Sequence, residues 1–124
     1  MSMTADVDFR DFARSVGTVV HYAAGDTIFR EGDAAGVMYV ILSGSVDLTK
    51  QTKVIETIHA GDALGFVSLL DGHPRGVTAR ASEDCDLALI DRKKFRYMVE
   101  EMPNFVWFVM NEMVHQLRTA SAAI

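Results

Sequence analysis

The sequence predicts a mainly β protein, an antiparallel jelly-roll β-barrel flanked by helices, folded as a single domain over residues 1–124. Between residues 18 and 91, short runs rich in Val, Ile, Thr and Tyr alternate with turn pairs, a pattern typical of antiparallel strands. The turn pairs are Gly25-Asp26, Gly32-Asp33, Ser43-Gly44, Gly61-Asp62 and Asp71-Gly72. Their close spacing favours a jelly roll over a doubly wound sheet, because parallel strands need helical crossovers. Apolar residues at helical spacing on both sides predict the flanking helices.

The first predicted element is a short helix over residues 7–16, within an N-terminal segment of residues 1–17. Gly17 follows this helix as a stop signal. Its apolar residues at helical spacing are Phe9, Phe12, Ala13 and Val16.

Within the barrel, residues 18–91, the pair Ser43-Gly44 predicts a tight turn. The turn would join a strand at residues 39–42 to a strand at residues 46–49. We therefore expect these two strands to form a hairpin.

Two helices are predicted after the barrel, over residues 92–118. Asp91 is suited to cap the N-terminus of the first helix, and Pro103 would end it and open the second. We expect residues 119–124 to fray. The apolar face of the first helix consists of Phe95, Met98, Val99 and Met102.

The second of these helices, residues 103–118, has an apolar arc wider than one contact with the barrel requires. Part of the arc is therefore expected to meet a second chain in a homodimer. The alternative is that the whole helix folds back into the core. Trp107 is expected in the core, or in the dimer contact, rather than stacked on a ligand. The arc consists of Phe105, Val106, Phe108, Val109, Met110, Met113, Val114 and Leu117.

The composition, with 49% apolar and 23% charged residues, is that of an ordinary globular domain. A net charge of −5 without a basic run argues against a broad nucleic-acid interface. Cys85 is the single cysteine, which excludes an intrachain disulfide and favours a reducing cytoplasm. The sequence contains no apolar run long enough to predict a membrane span and no leader peptide.

The most informative stretch, residues 65–81, predicts a phosphate cradle. A short helix opened by Gly65 would aim first-turn N–H groups at an anion, because these donors have no acceptor within the helix. Gly65 would also let a ligand approach the backbone closely. The N–H groups belong to Phe66, Val67 and Ser68.

Arg75 follows Gly65 by ten residues, across the turn at residues 71–74. Its planar fork of donors can return to the same anion, where a lysine would supply only a point charge. The candidate binding residues are therefore Gly65, Phe66, Val67, Ser68, Arg75 and Gly76.

This stretch resembles the phosphate-binding cassette of the cyclic nucleotide-binding domain family, of the catabolite activator protein and protein kinase A regulatory subunit type. Residues 64–70 and 74–81 are similar, without a gap, to the two halves of that cassette. Further segments that resemble the family in order and spacing are residues 22–33, residues 38–46 and the pair Gly61-Asp62. The resemblance covers residues 22–95 and implies a jelly-roll, cupin-like fold with helices on both flanks.

The resemblance implies a stand-alone cytoplasmic regulatory module that binds cyclic AMP or a related ligand and relays binding through its C-terminal helices. The family's cassette glutamate, which accepts a hydrogen bond from the ribose 2′-hydroxyl, falls on Phe66. Losing such a bond costs about 1.5–3 kcal/mol, so affinity for cyclic AMP is expected to be weakened about ten- to a hundredfold. The chain ends before the helix-turn-helix domain of the family's transcription factors, so no direct DNA binding is expected.

Two alternatives stay open from the sequence. In one, Phe66 fills the pocket and the protein is a ligand-free adaptor for dimerisation and protein contact. In the other, Arg75 and the helix N-terminus bind a non-nucleotide anion, such as a carboxylate metabolite.

Neither catalysis nor metal binding is predicted. Cys85 lies between two aspartates, whose charges would raise the pKa of its thiol and make it a poor nucleophile. No triad or carboxylate pair is set off by its context. The four histidines are too scattered for a metal site of the kind found in cupins. They are His21, His59, His73 and His115.

Overall fold

The structure, a computed structural model, describes the backbone of residues 8–122 and the side chains of residues 8–118. The predicted start of the first helix at residue 7 and the last two residues of the predicted tail lie outside the described residues. In chain order the elements are α1 (Arg10–Val16), β1 (Thr18–Tyr22), β2 (Thr27–Phe29), β3 (Val37–Ser43), β4 (Ser45–Lys50), β5 (Lys53–His59), β6 (Ala63–Leu64), α2 (Phe66–Asp71), β7 (Thr78–Ala81), β8 (Cys85–Asp91), α3 (Arg92–Glu101) and α4 (Pro103–Ala122).

The strands form two four-stranded antiparallel sheets, with the orders β1-β8-β3-β6 and β2-β7-β4-β5. Helices lie at both ends of the chain, and one short helix, α2, lies between β6 and β7. The predicted class, a mainly antiparallel β fold with these helices, is confirmed. The sheets form a sandwich rather than a closed barrel, because each sheet keeps two edge strands.

Two apolar clusters hold the sandwich and its helices together. The inter-sheet core, between the sheets, consists of Phe29, Tyr39, Ile41, Val46, Leu48, Ile58, Leu64, Ala79, Ala81, Cys85 and Leu87. The helix-side core, on the outer face of the β1-β8-β3-β6 sheet, consists of Phe9, Ala13, Met38, Val40, Leu42, Ala63, Phe66, Leu69, Ala88, Ile90, Phe95, Met98, Phe105, Phe108 and Val109. Alternate residues of β3 enter opposite clusters, which explains why this strand is a nearly continuous apolar run.

The predicted hairpin at Ser43-Gly44 is wrong. Strand β3 pairs with β6 and β8, whereas β4 pairs with β5 and β7, so the chain changes sheets at Gly44. Gly44 has a φ of 89°, and a Cβ atom there would overlap the carbonyl oxygen of Asp84 and the Cβ of Cys85. The hairpin that does form joins β4 to β5 through Gln51 and Thr52, which have positive φ angles although neither is a glycine.

The C-terminal helices begin where the sequence predicts. The carboxylate of Asp91 accepts a 2.8 Å hydrogen bond from the N–H of Lys94 and caps α3. Pro103 is the first residue of α4. Helix α4 continues to Ala122, beyond the predicted end at Arg118.

Helix α4 has a buried side and an exposed apolar side. Phe105, Phe108 and Val109 enter the helix-side core. Trp107, expected in the core or in a dimer contact, is 37% exposed and thus lies outside the core. It belongs to an exposed stripe that consists of Trp107, Met110, Val114 and Leu117.

Candidate ligand-binding site

The cassette begins at a backbone turn that a glycine makes possible. Gly65 has a φ of 82° and stands between β6 and α2, as the predicted opening of the cassette helix. Helix α2 is short and ends at Gly72, whose N–H donates to the carbonyl of Ser68 across 2.9 Å. The hydroxyl of Ser68 points toward the carbonyl of Pro74, 3.4 Å away, and links the helix to the segment that carries Arg75.

The backbone of Arg75 is held on both sides by the turn that follows β2. Its N–H donates to the carbonyl of Asp33 across 2.9 Å, and its carbonyl accepts from the N–H of Gly32 across 2.8 Å. The turn is itself braced, because a carboxylate oxygen of Asp33 accepts a 3.0 Å hydrogen bond from the N–H of Arg30. Arg75 therefore starts from a fixed main-chain position.

The side chain of Arg75 runs back to the start of the cassette. Nη1 donates to the carbonyl of Gly65 across 2.8 Å, and Nη2 donates to the carbonyl of Val37 across 2.7 Å. The guanidinium carbon lies 4.2 Å from the centre of the Phe29 ring, within the range of a cation–π contact. Three elements thus fix the guanidinium: β2, β3 and the cassette turn.

Arg75 is a buried cation that no carboxylate of the described residues pairs with in a salt bridge. It is only 5% exposed, and its Nε is a buried polar atom without a hydrogen-bond partner within residues 8–118. Burial lowers the pKa of Arg75, and the charges of Tyr39 and Asp33 act in the opposite direction. An arginine remains protonated at neutral pH all the same, so a positive charge is held here by neutral carbonyls.

A cavity of about 180 Å³ opens beside the guanidinium. It is lined by Phe29, Gly65, Val67, Ser68, Arg75, Gly76, Val77 and Gln116. Five of the six predicted site residues, all except Phe66, are in this lining. No carboxylate is among the lining residues that the structure describes, so this part of the cavity is matched in charge to an anion.

Phe66, predicted to contribute its backbone N–H, is the one predicted site residue outside this lining. The side chain of Phe66 is fully buried in the helix-side core, at 0% exposure, and is not part of the cavity lining. Phe66 therefore neither walls the cavity nor fills it. Its neighbours Gly65 and Val67 line the cavity instead, and Val67 is 44% exposed.

Sequence reasoning missed three of the residues that line the cavity. Phe29 and Val77 flank Arg75 from β2 and from the segment before β7, and Gln116 reaches the cavity from α4. Phe29 and Gln116 come near Arg75 only through the folding of distant segments, whereas Val77 lies within the cassette, two residues after Arg75. The carbonyl of Val37, which binds the guanidinium, carries no side-chain signal at all.

A larger groove, of about 580 Å³, lies between α2 and α3. Its walls combine apolar side chains with Arg92, Arg96, Glu100 and Asp71, and Arg96 and Glu100 are paired with each other at 3.0 Å. This groove does not include Arg75. The smaller cavity is the better candidate site, because it contains the buried cation.

Three of the four histidines singled out in the sequence lie in ordinary pairs. His21, His73 and His115 each contact a carboxylate, and no group of three potential metal ligands occurs among the described residues. Burial, followed by the charges of Asp86 and Asp84, raises the pKa of Cys85, in the direction expected. Among the described helices, none has the length and apolar character that crossing a bilayer requires.

Comparison with known proteins places this architecture in a family. The family model described as the cyclic nucleotide-binding domain matches residues 19–102. The chain belongs to the cyclic nucleotide-binding domain family. The match includes the whole cassette and the β2 turn that holds Arg75.

Two relatives show how this cyclic nucleotide-binding domain compares in sequence. It is 27% identical over 109 residues to the cAMP-activated global transcriptional regulator CRP of Salmonella typhimurium, with 83% of the chain and 52% of the relative covered. It is 36% identical over 72 residues to the cAMP-dependent protein kinase regulatory subunit of Eremothecium gossypii, with 58% of the chain and 16% of the relative covered. The domain therefore spans about half the length of the first relative and a small part of the second.

The fold comparison agrees. The crystal structure of the catabolite activator protein of Thermus thermophilus superposes on this domain with a TM-score of 0.80 and 26% identity. That superposition covers 96% of this chain and 59% of the other. The two-sheet arrangement and the terminal helices are thus shared along nearly the whole chain.

Proposed function

We propose that this domain is a regulatory sensor that binds a phosphate-bearing small ligand, cyclic AMP or a related cyclic nucleotide, beside Arg75. The ligand would lie in the 180 Å³ cavity, with its phosphate on the guanidinium and on the cassette turn that starts at Gly65. Binding would then be relayed through α4. The relatives named for activation by or dependence on cAMP, and the membership of the family, support this ligand class.

The proposal rests mainly on the buried and incompletely bonded side chain of Arg75. Within residues 8–118, the guanidinium is 5% exposed, donates hydrogen bonds only to neutral carbonyls and has an Nε without a hydrogen-bond partner. Burial has therefore removed its hydration without supplying an ionic partner among these residues. An anion in the adjoining cavity would supply that partner. Arginine is also the side chain best matched to the geometry of a phosphate.

The relay is supported by the position of Gln116. This residue belongs to α4 and lines the same cavity as Arg75. The cavity is smaller than the roughly 300–1,000 Å³ usual for small-molecule sites, so a nucleotide would displace part of its wall. Since Gln116 is the part of the wall that α4 supplies, occupancy would favour a different position of α4. A ligand shifts such an equilibrium by its difference in affinity for the two positions.

A homodimer formed through α4 would convert this movement of α4 into a change at the dimer interface. The exposed stripe of Trp107, Met110, Val114 and Leu117 follows spacings of three, four and three residues, the spacing of a two-stranded coiled-coil seam. We infer that the stripe pairs with its copy in a second chain, and that an effector protein reads the position of the pair. We propose a non-catalytic module that acts in the cytoplasm.

A second candidate function is supported by the absence of a carboxylate from the described lining of the cavity. Without such an acceptor for sugar hydroxyls, the site would suit a non-nucleotide anion as well as a nucleotide. The adaptor alternative loses its physical reason, because the side chain of Phe66 lies in the helix-side core and leaves the cavity beside Arg75 open.

A thermal-shift experiment can test the proposed ligand class. A ligand at a hundredfold its Kd stabilises the folded state by about 2.7 kcal/mol, which raises the melting temperature by several degrees in a small domain. We expect this rise with cyclic AMP or cyclic GMP for the wild type and for Arg80→Lys, whose exposed side chain lies outside the cavity. Loss of the rise in Arg75→Lys would support the site. A rise with a carboxylate or inorganic phosphate alone would favour the second candidate.

A further inference from the structure

The two halves of α4 are attached to the rest of the molecule in different ways. The first half is anchored by Phe105, Phe108 and Val109 in the helix-side core. Among residues 111–118 no side chain is fully buried, and Met113 is the one that packs against that core. The position of the second half therefore depends more on polar contacts than the position of the first half does.

Among the described residues, His115 and Glu112 of the second half of α4 lie against polar groups of the sandwich. Nε2 of His115 lies 2.6 Å from Oε1 of Glu56 on β5, whose side chain is only 16% exposed. One turn earlier, Glu112 is partly buried and lies close to Asp62 and Ala63, where β6 begins. Gln116, the cavity residue, directly follows His115 in the sequence.

The charged groups around these contacts are mostly acidic. Asp62, in the turn before β6, faces both Glu112 and His115, and Glu56 faces both from β5. Burial first, and then Asp62, raises the pKa of Glu112 to about 7. The hydrogen bond and charge of Glu56 raise the pKa of His115 above its usual value of 6.5.

Both shifts act on folding and docking in the same direction. The pKa of Glu112 rises from 4.5 in the unfolded chain to about 7, so the stabilisation from its protonated form is full below pH 4.5 and is lost as the pH rises through 7. The pKa of His115 is raised, so its charged contact with Glu56 is also present at low pH. This contact is lost as the pH rises past the raised pKa of His115.

We propose that Glu56, Glu112 and His115 form a protonation-dependent latch, which seats the second half of α4 on the sandwich in mildly acidic solution and releases it in mildly alkaline solution. The latch acts on the same turn of α4 that carries Gln116, so it controls the wall of the cavity. It needs no ligand, so it can be tested independently of ligand binding beside Arg75.

Hydrogen exchange of the ligand-free chain at pH 6 and pH 8, converted to protection factors that remove the intrinsic effect of pH, tests the latch. We expect protection of the amides of residues 111–118 to fall about tenfold between pH 6 and pH 8. About one unit of the shift in the pKa of Glu112 is titrated in this range, and one unit corresponds to a factor of ten. Protection of residues 105–109, which the core anchors, stays unchanged and reports that the fold is intact. Equal protection of residues 111–118 at the two pH values overturns the proposal.

Two variants and a matched control identify the groups. Glu112→Gln, which keeps the size and polarity of the side chain but cannot ionise, should retain most of the protection at pH 8; a fall as large as in the wild type contradicts the latch. Glu56→Gln should move the midpoint of the transition to lower pH, and an unmoved midpoint contradicts the role of His115. His21→Gln removes a comparable exposed pair, 2.9 Å from Asp86, and should leave the transition as it is.

Discussion

Nη1 of Arg75 lies 2.8 Å from the carbonyl oxygen of Gly65, so the two ends of the cassette, ten residues apart in sequence, are joined directly. Position 65 requires a glycine for two reasons, its backbone conformation and the space beside it. Its φ of 82° is in the left-handed region, and a Cβ atom would lie 2.6 Å from that same Nη1. The cation and the turn are therefore fitted to each other.

Gly65→Ala should lower the free energy of unfolding by more than the cost of the left-handed backbone alone, about 1–2 kcal/mol, because the new methyl group also displaces Arg75. Urea unfolding measures the loss. Gly72→Ala is the matched control, since Gly72 has a φ of 75° but no atom within 4 Å of its virtual Cβ. Equal losses in the two variants would show that the contact with Arg75 costs nothing.

Phe66→Ala should destabilise the fold by about 3–5 kcal/mol, the usual cost of removing a buried phenylalanine. Val67→Ala, at the exposed neighbouring position, should cost less than about 1 kcal/mol. Chemical denaturation compares the two. A small loss at position 66 would mean that its side chain does not pack in the helix-side core.

Phe66→Glu should not restore the binding that the family's cassette glutamate provides. A carboxylate at this position would enter the helix-side core and leave the fold severely destabilised. Circular dichroism and a binding measurement on the same sample check this. A folded variant with tighter nucleotide binding would show that the side chain at position 66 turns into the cavity instead.

Cyclic AMP and 2′-deoxy cyclic AMP should bind with affinities within about threefold of each other, because no carboxylate of the cavity lining is available to accept the 2′-hydroxyl. A hydrogen bond to a charged acceptor would be worth about 1.5–3 kcal/mol, more than tenfold in Kd. Competition binding against a fluorescent nucleotide measures the ratio. A preference above tenfold for the ribose form would require an acceptor that the structure does not place there.

Leu117→Glu should shift the oligomeric state toward the monomer, because it puts a charge into the exposed stripe of α4 at its most exposed residue, 68% accessible. Sedimentation equilibrium of the wild type and the variant at the same concentrations measures the change. Val54→Glu changes an equally apolar, 51% exposed residue on β5 and serves as the control. A wild type that is monomeric throughout would contradict the dimer.

The sequence was sufficient for the parts of the fold that local signals determine. Asp91 caps α3, Pro103 opens α4 and Gly65 opens α2, because each acts through its own backbone or that of the next turn. The pair Ser43-Gly44 was misleading for the opposite reason. A glycine with positive φ serves a hairpin and a corner between sheets equally well, and distant contacts with Asp84 and Cys85 decide between them.

In the candidate site, too, some residues could be predicted from local patterns and others could not. Gly65 and Arg75 could be predicted, because an arginine at a fixed distance from a glycine-opened helix is a local pattern. The placement of Phe66 could not be, since spacing shows which residue starts the turn but not toward which core its side chain points. Gln116 and Phe29 needed the folded chain to bring them to the cavity.

Calorimetric titration of cyclic AMP and cyclic GMP into the wild type, Arg75→Lys and Arg80→Lys tests the central claim most directly. We expect binding by the wild type and by Arg80→Lys, and about ten- to a hundredfold weaker binding by Arg75→Lys, which keeps the charge but loses the planar fork. Equal affinity in Arg75→Lys, or no binding of either nucleotide by the folded wild type, would contradict a nucleotide site built on Arg75. The protonation of the α4 latch can be measured without ligand and would be unaffected by that result.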